Sequence, residues 1–109
     1  MLPTLPGPVA DYLEAEKTKD ANKAALCFAK DGFVHDEGQD HHGRNAIRQW
    51  KQAVDAEYRY VLEPLSAFVE GETVRVRARL TGDFPGSPVE LDHVFKVAGN
   101  EIASLEIGS

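Results

Sequence analysis

The densest run of side chains able to do chemistry is His35-Asp36, followed closely by Asp40-His41-His42. Imidazoles and carboxylates so near one another invite a metal ion. Their spacing matches no metal-binding pattern, however, and adjacent histidines in an extended segment point apart, so the run reads as a strand followed by a solvated loop, with no metal. Asp36 then stands as a single carboxylate on a short β-compatible segment. Such a group either accepts backbone N–H groups at the strand end or serves as an acid–base group in a pocket. Tyr12 falls on the apolar side of an amphipathic stretch, where a phenol is either a boundary aromatic or a hydrogen-bond donor facing a pocket. Asp92 lies inside a run that alternates like a strand, where Asp is depleted, so its presence points to a site. Cys27, the only cysteine, reads as packing. No Gly-rich phosphate loop, nucleophile elbow or zinc spacing occurs in the sequence.

These residues need a scaffold to hold them. Pro3, Pro6 and Pro8 make an extended arm, and Val9, Tyr12, Leu13 and Glu16 recur at helical spacing, predicting a helix over about 8 to 18. Asp20 is a candidate N-cap for a second helix running through Phe28 and Ala29 to a stop at Asp31-Gly32. Phe33 to Gly38 predicts a strand. Gly43 opens a third helix with one apolar stripe, Ile47, Trp50, Val54 and Tyr58. Beyond Tyr60 the period becomes two, predicting strands near 60–69, 73–82, 89–97 and 101–107 with turns at Glu70-Gly71-Glu72 and Gly99-Asn100. In the second of these, Val74, Val76, Ala78 and Leu80 share a face opposite Arg75, Arg77 and Arg79, so the helix stripe and this face should meet in the core. Helices that precede the sheet are the mark of an α+β fold in one domain, 1–109.

Composition narrows the function. An apolar fraction of 42% suffices for one core. Twelve Lys and Arg against eighteen Asp and Glu leave a formal charge of −6, which repels phosphate backbones and anionic lipid, so neither nucleic acid nor membrane is expected as a partner. A lone cysteine and the absence of a signal-like start make the cytoplasm the expected location.

The order of elements, with Phe28-Ala29-Lys30-Asp31-Gly32-Phe33-Val34-His35-Asp36, Gly43-Arg44-Asn45-Ala46-Ile47-Arg48-Gln49-Trp50 and the ending Gly99-Asn100-Glu101-Ile102-Ala103-Ser104-Leu105-Glu106-Ile107, resembles the SnoaL-like branch of the nuclear transport factor 2-like superfamily. The resemblance implies a cone-shaped α+β barrel, three N-terminal helices packed in a strongly curved, mostly antiparallel sheet, with a pocket at the open end. It also implies the homodimer through the sheet that is frequent in the superfamily. Among its members the ketosteroid isomerases are the most similar in polar pocket positions. By that likeness Asp36 falls on the general base, Tyr12 on the oxyanion phenol and Asp92 on the carboxylic acid beside it. Trp50, Phe68, Val34, Leu80 and Leu105 are then expected as the wall for a hydrophobic or cyclic small-molecule ligand, with no cofactor. The implied chemistry is cofactor-independent proton transfer next to a carbonyl, in an isomerase or polyketide cyclase-like enzyme. The alternative is a ligand-binding or structural dimer module without turnover, because the architecture alone does not fix function.

Strand parity tests the placement. Val34 and Asp36 share one face and Phe33, His35 and Glu37 the other, so Asp36 is able to look inward. On the strand predicted near 89–97, Asp92 shares its face with Glu90 and Val94, opposite Leu91, His93 and Phe95. If Asp92 faces the pocket, the apolar set faces out and needs a partner chain to cover it, unless a bulge switches the register. Glu37, next to Asp36, stands where the isomerases tend to carry Pro.

Overall fold

The computed structural model describes residues 3–108. Helix α1 (Gly7–Thr18) begins where Pro8 sits harmlessly in the first turn, and it ends at Lys19 in the left-handed conformation (φ 55°). Asp20 caps α2 (Ala21–Leu26) by accepting a hydrogen bond from the Lys23 N–H at 3.0 Å.

The second helix stops at Leu26 rather than continuing to Ala29, and Phe28 and Ala29 instead open strand β1 (Phe28–Asp36). The reason is tertiary. The Ile102 N–H donates to the Cys27 carbonyl at 2.9 Å, and the Phe28 ring is fully buried by the sheet it joins. A β1 register shift between Phe28 and Phe33 brings Gly32 against neighbouring backbone, where a Cβ would lie 3.1 Å from the carbonyl oxygens of Ala29 and Ile102. The segment expected as a loop is in part strand β2 (Gln39–His42), paired antiparallel with β1 through a two-residue turn at Glu37-Gly38 with φ of 52° and 77°. Positive φ at both positions is the geometry of the tight hairpin turn, normally signalled by Asn or Asp rather than Glu.

Helix α3 (Gly43–Glu57) follows, then β3 (Tyr60–Glu70), β4 (Thr73–Gly82), β5 (Val89–Ala98) and β6 (Glu101–Gly108). The six strands run in the order β2-β1-β6-β5-β4-β3, antiparallel except for the β1–β6 pair. Three helices pack against this curved, open sheet to give the α+β cone. Ile47 and Trp50 of α3 share the buried core with Val74 and Val76 of β4, and Val54 packs against its edge, so the helix stripe and the apolar strand face meet as their periods require.

Strands β3 and β5 also depart from simple alternation or from the expected facing. In β3 the register shifts between Pro64 and Ser66, so Leu62 and Ala67 pack on the core while Phe68 turns outward. Phe68 is 69% exposed and is no part of a ligand wall. In β5 alternation is regular through Lys96, and Val74, Val76 and Ala78 pair with Phe95, His93 and Leu91. The face carrying Leu91, His93 and Phe95 is therefore the concave one, and these residues need no partner chain to cover them. Asp92 points to the convex side, where its Oδ1 accepts from Arg77 Nη1 at 3.1 Å, and Glu90 pairs with Arg77 and Arg79. The strand cost of Asp92 is offset by cross-strand charge pairing, not by a pocket role.

Candidate functional site

The helices and the concave sheet enclose a cavity of about 430 Å³, within the range usual for small-molecule sites. Tyr12 and Glu16 of α1, Asp36 at the end of β1, and Trp50 and Val54 of α3 form one side. Tyr60 and Leu62 of β3, Leu80 of β4, and Leu91 and His93 of β5 form the other. Glu37, Tyr58, Phe84, Pro85, Val89 and Ile107 complete the wall, and the rings of Tyr58 and Phe84 meet edge to face at 6.1 Å.

Of the residues singled out from sequence, Asp36, Tyr12, Trp50 and Leu80 come together on this cavity. Val34 and Leu105 are wholly buried in the core and do not line it. Asp36 reaches the cavity because strand parity turns it to the same side as Val34, and its Oδ2 accepts a hydrogen bond from Trp50 Nε1 at 3.0 Å. The other carboxylate oxygen has no hydrogen-bond partner among the described residues. Tyr12 is 1% exposed and gripped edge to face by Phe28 and Phe95, with ring centroids at 6.0 and 5.5 Å. Burial first, then the fields of Glu16, Tyr60, Asp36 and Asp55, push its phenol well above the usual pKa, so at neutral pH it remains an O–H donor.

His93 lines the cavity where the resemblance would have placed Asp92. Its ring is 3% exposed, stacks near Phe95, and has a buried Nδ1 with no hydrogen-bond partner. Burial holds its pKa below the ordinary histidine value, which keeps the imidazole neutral at pH 7 with one N–H and one lone pair.

Beside the cavity lies an ionic cluster. Lys51 is completely buried and its Nζ meets the Glu16 carboxylate, Asp55 Oδ1 at 2.5 Å and the Tyr60 hydroxyl at 3.0 Å. The Tyr60 hydroxyl in turn donates to Glu16 Oε1 at 3.1 Å. Burial and the two carboxylates drive the Tyr60 pKa upward, and Lys19 Nζ sits 3.5 Å above the centre of its ring. The sequence signals for this cluster are faint: Glu16 occupies an apolar-stripe position of α1, and Lys51 and Asp55 are four apart on α3.

The histidine-rich run is held differently. His35 Nδ1 and Asp40 Oδ1 lie 2.5 Å apart across the β1–β2 hairpin, and that hydrogen bond raises the pKa of His35 and lowers that of Asp40. Cys27 is buried, and desolvation pushes its thiol up to about 11, away from nucleophile chemistry. No helix among the described residues is long and apolar enough to cross a membrane.

A conical sheet closed on one side by three helices, with the pocket at its concave face, agrees with the family comparison: residues 9–105 match the SnoaL-like domain. The chain belongs to the SnoaL-like family. Among solved structures, this SnoaL-like chain is similar to a "putative polyketide cyclase" of Sinorhizobium meliloti, at 42% identity over 94% of each chain and a TM-score of 0.91. It is also similar to a protein of ketosteroid isomerase-like fold from Catenulispora acidiphila in complex with trimethylamine, at 26% identity over 97% of this chain and 87% of that one, with a TM-score of 0.84. An NTF2-like protein of Cytophaga hutchinsonii, 16% identical over 92% and 84% of the two chains, shares the fold at a TM-score of 0.71. No curated protein matches the chain. Fold, family and cavity together make it a small-molecule pocket protein.

Proposed function

We propose that this SnoaL-like protein catalyses proton transfer next to a carbonyl of a cyclic or largely apolar small molecule. Asp36 is the base. It removes a proton from the carbon beside the carbonyl, the electron pair moves onto oxygen as an enolate, and the same carboxyl returns the proton at another carbon of the conjugated system. Tyr12 and His93 donate hydrogen bonds to the developing oxyanion, His93 serving as the second donor in place of Asp92. The single observation that carries the reading is the convergence on one apolar cavity of a carboxylate with a free oxygen, a phenol held protonated by burial and a neutral buried imidazole. The 42% identity to the Sinorhizobium meliloti protein supports ring-forming or carbonyl chemistry of this class. Asp36→Asn is expected to lower kcat for a β,γ-unsaturated cyclic ketone by about 10²- to 10⁴-fold, while tightening the binding of a phenolate, because a negative charge beside the ligand is removed. Absence of turnover in the wild type, together with unchanged phenolate affinity in Asp36→Asn, refutes the proposal. A second reading, a binding module without turnover, draws support from the trimethylamine complex of the Catenulispora acidiphila protein, and that same outcome selects it.

A further inference from the structure

The main cavity adjoins a second, outer depression of about 210 Å³, and the two share Asp36, Glu37, Trp50, Val54 and Tyr58. The outer depression adds Glu57 and His41, the latter with its ring 6.1 Å from that of Trp50. Its charge pattern is one-sided. Asp36, Glu37 and Glu57 are carboxylates, Trp50 and Tyr58 present aromatic rings, and among the described residues no Lys or Arg lines either space. Glu37, Glu57 and Tyr58 all line the outer depression, and the two carboxylates raise the pKa of the Tyr58 phenol, Glu57 the more. Lys51, the nearest buried cation, is committed to Glu16, Asp55 and Tyr60.

Carboxylates around aromatic faces attract a cation twice, by charge and by the ring quadrupole, and they repel an anion. The effect is strongest for a weakly hydrated ammonium, which loses little on leaving water. The formal charge of −6 on the chain adds a long-range field of the same sign. Tyr12 and His93 line only the main cavity, and the Glu16 carboxylate there is neutralised by Lys51, whereas Glu57 belongs to the outer depression alone and has no salt-bridge partner among the described residues. A ligand that fills both spaces therefore carries a neutral polar group at the inner end and a positive one at the outer end.

We propose that the ligand is an amine-bearing carbonyl compound, its ammonium held in the outer depression by Trp50, Tyr58, Glu37 and Glu57 while its carbonyl lies in the inner cavity between Tyr12 and His93. The assignment of the carbonyl end rests on the proton-transfer reading above; the ammonium end rests on the outer depression alone. An ammonium close to the reacting carbon also makes that carbon a stronger acid, which suits a carboxylate base.

The test uses the full-length protein and three probes of one shape: choline, its neutral isostere 3,3-dimethylbutan-1-ol, and the anion 3,3-dimethylbutanoate. Trp50 is the only tryptophan of the chain, so intrinsic fluorescence reports the site directly, with calorimetry as the second readout. Choline is expected to bind at least ~10-fold more tightly than the neutral isostere, a difference near 1.4 kcal/mol, and the anion is expected to show no saturable change. Tyr58→Leu and the double variant Glu37→Gln/Glu57→Gln should each reduce that preference at least ~3-fold. Equal affinity for choline and its isostere overturns the inference, as does a preference that both variants leave intact. Turnover of a neutral ketone with no choline preference sinks this inference and leaves the proton-transfer reading standing. A choline preference without ketone turnover upholds the ammonium site, and the proton-transfer reading then falls if Asp36→Asn also leaves the phenolate affinity unchanged.

Discussion

Replacing Lys51 with Met isolates the contribution of the buried ionic cluster to stability. The ammonium is wholly out of solvent and faces two carboxylates, whose side chains are only 4% (Glu16) and 13% (Asp55) exposed. Met keeps most of the aliphatic stem and its packing, so the main change is the loss of the positive charge. The variant then buries two carboxylates that have lost their counter-charge, and breaking a buried pair in this way costs about 3–5 kcal/mol. A domain of this size is stable by about 5–15 kcal/mol, so the variant folds with a reduced margin. With a urea m-value near ~2 kcal/mol/M, the midpoint should fall by roughly 1.5–2.5 M. Urea melts followed by Trp50 fluorescence measure it directly. One further result must agree. Combining Lys51→Met with Glu16→Gln should recover about half of the loss or more, since it removes the more deeply buried of the two charges. A loss under about 1 kcal/mol, or one that Glu16→Gln leaves wholly in place, refutes the idea that the cluster is a desolvated charge network.

Tyr12→Phe should lower kcat by about 10²- to 10³-fold yet leave the urea midpoint nearly unchanged, because no group of the described residues accepts from the Tyr12 hydroxyl; a large stability loss with normal turnover would mark it as structural. His93 has a lowered pKa in the fold, so below about pH 6.5 the unfolded chain binds a proton that the native state refuses, and stability falls with falling pH. His93→Gln should flatten that part of the wild-type stability curve, and an identical acid slope in the variant would place the acid sensitivity elsewhere. His35 is raised by its hydrogen bond to Asp40, so a histidine NMR titration should show one midpoint above the ordinary value that returns toward it in Asp40→Asn. No movement of that midpoint would show that the short contact is absent in solution.

Periodicity alone made much of this molecule legible. The stripe Ile47, Trp50, Val54 and the face Val74, Val76, Ala78 had to meet, because each is the apolar side of an element whose other side is polar, and both would otherwise stay in water. Parity likewise turned Asp36 toward the concave side, and the helices-then-sheet order gave the fold class. Local pattern failed wherever a distant segment determined the outcome. Phe28 left a helix-compatible run because β6 offered its neighbour Cys27 a backbone partner and its ring a core. Phe68 turned outward because a single register shift near Pro64 reverses every later residue of β3. Asp92 and His93 are adjacent and point to opposite faces, so one undetermined fact, the facing of β5, decided which of them entered the cavity. That facing depends on which side of the finished sheet the helices cover, a property of the whole fold that no window of sequence contains. The ionic cluster shows the same limit. Glu16, Lys51, Asp55 and Tyr60 come from three elements, and only the packing of α1 and α3 against β3 removes the water that would otherwise have made each of them an ordinary surface residue.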